Sequence, residues 1–447
     1  MITRGNPAAD DEVGTAGSLS IEALFQGVEP AGRPAELIRR AGRRLALTDD
    51  AIEHLVAPQE VRIFRLHCHL FGHPTCVRGV IALHNNARGP YKGGVRLSED
   101  VTVWETIELA RLMTLKTALV DIEFGGGKTG LRLDWGTIYT SCSRDGSGRD
   151  REFEKIVTLE VMAAFARAFR ETFRDHLYIP APDLGTGAEE MAAIYNETRD
   201  PASVTGKADG IPGWLPGRRE ATGVGCAEIT LRALRDLLGC DPDRATVAIQ
   251  GFGNVAQPLA KALSRAGCRV VAVTDACGGV TDPRGLDIDA LIAYARERGT
   301  VDGFDAAPIT NAELLMQPVD VLIPAAASNV VRAGNADFVA ARAVVEAANM
   351  PLTLEALDRL QARGVIVVPD ILANAGGVIA SLEEYSRSLS AVRMTAAEVL
   401  GMVSEVLSQA WDATTHYARA RDLPLVEAAS EIAVSRVYAA MRSRRYL

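Results

Sequence analysis

Four short segments set charged side chains among glycine and apolar residues: RGPYKGG at 88–94, LMTLK at 112–116, FGGGKTG at 124–130 and APDLGTG at 181–187. Lysines in such settings can hold carboxylates. A lysine whose pKa is lowered by burial or by another cation can also exchange protons near neutrality. A fifth segment, IQGFGNVA at 249–256, has the glycine spacing that cradles a dinucleotide. The combination implies hydride transfer to or from a small anionic substrate.

FGGGKTG invites a phosphate-loop reading, but the position that would need the first glycine is Ile122. The three glycines instead let backbone and ligand approach closely around Lys128; the competing reading is a surface lysine after a flexible turn. Lys92 lies between Gly-Pro and Gly-Gly, which reads as a rigid turn with little side-chain cover. Lys116 falls in a nearly apolar helix, where an unpaired charge is costly and wants an anionic partner. Three such lysines point to a substrate with two carboxylates. Asp183 follows Pro180-Ala181-Pro182, a stiff segment that fixes its direction; the alternative is that it caps the helix that follows.

Gly251, Gly253 and Ala256 fit G-x-G-x-x-G/A, preceded by the apolar run TVAIQ and followed by a helix expected over 254–266. Asn254 and Val255 open that helix, whose N-terminal amides would face a pyrophosphate. Asp275 closes the next strand, where a carboxylate would grip the adenosine ribose, and no arginine follows until Arg284. NAD is therefore expected, with NADP possible. A glycine turn that merely packs a helix is the competing reading.

A chain of 447 residues is too long for one ordinary core. The pattern divides into a tail at 1–20, a first domain at 21–218, a dinucleotide domain at 219–405 and returning C-terminal helices at 406–447. Helical patterning begins near Ser20, strands are expected at 61–70 and 76–83, and helices at 101–119 and 153–173. The stretch 141–152 reads as an exposed polar loop. Beyond Glu220 come apolar runs of strand length at 246–250, 269–274, 320–324, 343–348 and 365–369. Most are separated by helical patterns, which indicates a parallel sheet covered on both faces. The fold class is thus α/β, a Rossmann-like domain plus an N-terminal α/β domain.

A formal net charge of −9 argues against general nucleic-acid binding. No stretch is long and apolar enough to span a bilayer, and a cytoplasmic location is expected. The seven cysteines include no C-x-x-C pair and read as reduced thiols. His67, Cys68, His69, His73 and Cys76 cluster, but strand alternation does not deliver a tetrahedral ligand set, so no metal is expected.

Taken in order from about residue 60 to the C-terminus, these segments resemble the glutamate, leucine, phenylalanine and valine dehydrogenases. The resemblance rests on HNNARGPYKGGVR, LMTLKTA, FGGGKTG, APDLGTG, GRREATGVG (217–225), GFGNVA, EAANMP (346–351) and PDILANAGGVIAS (369–381). It implies an N-terminal substrate and oligomerisation domain with a cleft between it and the Rossmann-like domain. It also implies that Lys128 polarises the carbonyl or activates water and that Asp183 is the general acid/base. By the same resemblance, Lys116 binds the α-carboxylate, Thr222 and Asn349 approach the cofactor, and Asn374 lines the cleft near nicotinamide and substrate. Lys92 and Ser381 match the positions that hold the side-chain carboxylate in the glutamate enzymes. The implied reaction is reversible oxidative deamination of glutamate to 2-oxoglutarate and ammonia, by a homo-oligomer, a hexamer by resemblance. The rivals are the same chemistry on an apolar amino acid and a non-catalytic regulatory paralogue. The departures are Ala256, Ala347 where a glycine is common, no acidic residue before Pro182, and the long loop at 141–152.

Overall fold

The computed structural model describes residues 32–142, 150–390 and 392–446. The tail at 1–20, the patterning near Ser20 and most of the polar loop at 141–152 lie outside them. Within the described residues the chain builds two sheets. The first joins β1 (Glu60–Leu70), β2 (His73–Asn85), β3 (Tyr91–Ser98), β4 (Gly125–Arg132) and β5 (Tyr178–Pro182) in the order β1-β2-β4-β3-β5. β1, β2 and β4 run antiparallel, whereas β4, β3 and β5 are parallel. The second sheet comprises β6 (Thr246–Gln250), β7 (Arg269–Thr274), β8 (Gly279–Thr281), β9 (Ala307–Pro308), β10 (Val321–Pro324), β11 (Ala343–Val345) and β12 (Ile366–Val368). Its order is β12-β11-β10-β6-β7-β8-β9.

The apolar runs form the parallel strands β6, β7, β10, β11 and β12, because strands buried on both faces are uniformly apolar. β8 and β9 add an antiparallel edge that the sequence pattern did not reveal. The chain reverses its order between β6 and β10, so a crevice opens beyond their carboxyl ends, the usual ligand position in such sheets.

A segment expected to be a turn, and another for which a turn was the competing reading, are strands. FGGGKTG is most of β4, and Lys92 lies within β3. The glycines serve close packing. A Cβ on Gly126 would lie 2.1 Å from Thr114 Oγ1 of the helix Val103–Leu119, and one on Gly93 would lie 1.7 Å from the Gly127 carbonyl oxygen. The helix expected over 153–173 breaks at Phe169 into Arg151–Ala168 and Arg170–Arg174. The final helix, Leu425–Ser443, returns to the first domain and packs on Val103–Leu119. There Arg436 donates to the terminal carbonyls of Ala118 and Leu119 at 2.9 and 2.7 Å, a charge-complementary cap.

Candidate active site

The parallel trio β4, β3 and β5 carries three of the singled-out residues to one end of the first sheet. The register pairs Lys92 with Gly126 on one side and Ile179 on the other, and Lys128 follows two residues after Gly126. Asp183 follows β5 directly, and Lys116 descends from the last turn of the helix packed on β4. A Cβ on Gly94 would lie 2.6 Å from Asp183 Cβ, so a side chain there would displace the aspartate.

Lys128 Nζ donates to Asp183 Oδ1 at 2.9 Å, and Arg96 Nε donates to Asp183 Oδ2 at 2.9 Å. Burial alone would raise the Asp183 carboxyl, but Lys128 and Arg96 together hold it well below the usual carboxylate range. Burial lowers the Lys128 ammonium, with Asp183 opposing. Asp183 does not cap the next helix: Gly187 precedes Ala188–Thr198, and the Gly187 amide donates to Glu190 Oε2 at 2.7 Å.

Lys116 Nζ donates to Asn349 Oδ1 at 2.8 Å, and the same oxygen accepts from Asn374 Nδ2 at 3.2 Å. Burial pulls the Lys116 pKa down to about 8. Asn374 Oδ1 is buried with no partner among the described residues, an acceptor free for a ligand donor.

Lys92 is 1% exposed, and among the described residues no group hydrogen-bonds its ammonium. Burial pushes its pKa well down, and neighbouring Arg218 adds to the effect. Arg218 Nε donates to Ser381 Oγ at 3.0 Å, and Ser381 donates to the Gly377 carbonyl at 2.9 Å. Two cations and a hydroxyl thus converge without a carboxylate to satisfy them directly, which describes a subsite for an anion.

Lys92, Lys116, Lys128, Asp183, Thr222, Gly253, Asn254, Val255, Asn349, Asn374 and Ser381 all line one open cleft. Gly251 shapes the cleft wall from beneath. Its φ of +93° favours glycine, and a Cβ there would meet Ala326 at 2.9 Å. At Gly253 a Cβ would meet nothing within 4 Å, which leaves the backbone open to a pyrophosphate before the helix Ala256–Arg265. These residues fit a dinucleotide.

Asp275 is the exception. It directly follows β7, but Oδ1 accepts from the Cys277 and Gly278 amides and Oδ2 from Thr300 Oγ1 and the Val301 amide. All four lone-pair sites are filled, two by its own turn and two by Thr300 and Val301. The carboxylate has no capacity left for a ribose, and the expected preference for NAD over NADP loses its support. The hairpin of β1 and β2 places His67 opposite Cys76, and no group of three or more His, Cys, Asp or Glu among the described residues is placed to hold a metal.

Arg96 and Arg218 were missed as site residues. Arg96 had a signal, since Lys92, Gly94 and Arg96 alternate onto one face of β3. Arg218 stood in the quoted GRREATGVG segment without a stated partner.

A family model described as Glutamate/Leucine/Phenylalanine/Valine dehydrogenase matches residues 213–445. The Glu/Leu/Phe/Val dehydrogenase dimerisation domain matches residues 58–200. A glutamate dehydrogenase of Thermotoga maritima is 38% identical over 421 residues, covering 92% of this chain and 96% of that protein. An NADP-specific glutamate dehydrogenase of Saccharolobus shibatae is 34% identical over 91% of this chain and 95% of its own length. The crystal structure of the hetero-hexameric glutamate dehydrogenase of Thermus thermophilus in its Leu-bound form superposes with a TM-score of 0.83 at 30% identity, over 94% of this chain and 99% of that one.

Proposed function

This chain belongs to the glutamate, leucine, phenylalanine and valine dehydrogenase family, and we infer from its cleft that the amino acid it oxidises is L-glutamate. It is an NAD(P)-dependent oxidoreductase acting on the CH–NH2 group, and the reaction is reversible oxidative deamination to 2-oxoglutarate and ammonia. The observation that carries the substrate is the second anion subsite, Lys92 with Arg218 and Ser381. An apolar side chain would leave these cations buried and unpaired, a penalty that rejects it strongly.

In this reading Lys116 holds the α-carboxylate, trading its bond to Asn349 for the ligand. The Lys92, Arg218 and Ser381 group holds the distal carboxylate. Bound NAD(P) supplies the hydride acceptor in the deamination direction. Gly251, Gly253, Asn254 and Val255 would hold its pyrophosphate, and Thr222, Asn349 and Asn374 would lie along its nicotinamide half. Lys128 stabilises negative charge at the substrate carbonyl or water oxygen, and Asp183, 2.9 Å from its ammonium, accepts and returns the proton. Closing the cleft around these groups excludes water and strengthens each charge interaction. The family's dimerisation domain and the hetero-hexameric Thermus relative support an oligomer, for which we propose a homo-hexamer. Among the described residues no helix is long and apolar enough to cross a membrane, and we propose a cytoplasmic enzyme.

Replacing Lys92 by leucine should raise KM for 2-oxoglutarate roughly 100-fold while KM for NAD(P)H stays put, since one buried charge-assisted contact is lost. Steady-state kinetics check this; an unchanged KM would remove Lys92 from the substrate site. Lys116 gives a pH signature. With its pKa near 8 it loses its charge as pH rises through that value. The same KM should therefore climb above about pH 8, and a KM flat to pH 10 would contradict the role.

A further inference from the structure

Behind the Lys92, Arg218 and Ser381 subsite, where the Gly206–Lys207 segment meets the cleft, lies a charged pair whose own side chains are closed to solvent. Glu384 and Lys207 are joined at 2.9 Å, with both side chains wholly excluded from solvent. Glu384 Oε1 also accepts from the Lys207 amide at 3.2 Å, and Oε2 accepts from the Gly206 amide at 2.6 Å. Lys207 Nζ spends its remaining protons on the carbonyls of Pro201 and Val204 at 2.9 and 2.8 Å. A buried ion pair is seldom the most stable filling of a core, so its placement asks for another reason.

The placement supplies one. Glu384 stands three residues after Ser381 on the helix Gly376–Ser386, so both project from one face. Through Gly206 and Lys207 it grips a loop that rests on the strand before Asp183. The Thr205 amide donates to the Pro180 carbonyl at 3.0 Å, and a Cβ on Gly206 would lie 2.3 Å from Pro182 Cδ. We propose that the Lys207–Glu384 pair is the positioning support of the distal-carboxylate subsite. It locks Ser381, and with it Arg218, in register with Asp183, and it supplies the negative charge that balances Lys92. This deepens the glutamate reading and rests on it. Arg218, Lys128, Lys207 and Glu384 are the charged groups acting on Lys92, and Glu384 is the one among them that favours its protonated form.

The test compares the full-length Glu384→Gln and Lys92→Leu variants with the parent, using 2-oxoglutarate, ammonium and NAD(P)H. Glu384→Gln should raise KM for 2-oxoglutarate roughly 10-fold with kcat within about threefold, since alignment and charge are lost but no catalytic group is. Its KM should also begin to rise at a lower pH than the parent's, because Lys92 without the carboxylate gives up its proton sooner. A merely structural role would lower the melting temperature without moving that pH profile. If the lone Lys207 prevents folding, the Lys207→Met/Glu384→Met variant removes both charges and is read by the same two measures. A parental KM and pH profile in the folded variant, alongside a raised KM in Lys92→Leu, would overturn the inference. A parental KM in Lys92→Leu would instead overturn the substrate reading beneath it.

Discussion

With Lys128 replaced by alanine, the protein is expected to fold and bind NAD(P)H, yet to turn over 2-oxoglutarate on the order of 10⁴-fold more slowly. Lys128 is 2% exposed and lies on β4, opposite Ala82 of β2, in a strand flanked by β2 and β3. Its ammonium is buried, so it acts on the reacting oxygen through a low-dielectric medium in which one preorganised charge contributes several kcal/mol. Burial also lowers its pKa, which makes proton exchange with substrate easier than for an exposed lysine. Alanine removes both effects at once. Fold and cofactor affinity are checked by thermal unfolding and by quenching of intrinsic fluorescence on NAD(P)H addition. A variant retaining a tenth of parental kcat would take Lys128 out of the chemistry.

Asp183→Asn should cost on the order of 10³-fold in kcat with KM for 2-oxoglutarate little changed. The amide keeps the shape but cannot take up a proton, the loss that general acid–base catalysis predicts. It also leaves Lys128 and Arg96 facing each other without their shared anion. With no carboxylate beside it, Lys128 gives up its proton more easily, so the alkaline limb of the residual activity should move to lower pH. In the parent the carboxyl lies below the usual carboxylate range, so it is ionised throughout the neutral region and should not set an acid limb there. A pH–rate series on both proteins checks this, and residual activity with the parental alkaline limb would contradict the coupling.

The parallel strands of the second sheet were legible because continuous apolar runs such as TVAIQ and RVVAVT leave few other burial schemes. The first sheet was harder to read. FGGGKTG has the local chemistry of a turn, and pairing with β2 on one side and β3 on the other makes it a strand. Lys92 was misjudged for the same reason, since the glycines that signal a turn here admit a neighbouring strand at very short range. Asp275 stood at the right distance from the glycine turn, but Thr300 and Val301, which consume its carboxylate, come from beyond the next helix. Spacing along a chain does not report such distant partners. Arg218 and the Lys207–Glu384 pair were hidden likewise, their partners lying 163 and 177 positions away.

The most direct test of the central claim is the rate of NADH and NADPH oxidation by purified protein with ammonium, given 2-oxoglutarate in one series and 4-methyl-2-oxopentanoate in the other. The subsite of Lys92, Arg218 and Ser381 predicts turnover on the dicarboxylate exceeding that on the branched acid by on the order of 10³-fold or more in kcat/KM. Equal rates, or a preference for the branched acid, would contradict it and mean that these cations serve something other than the substrate's distal carboxylate.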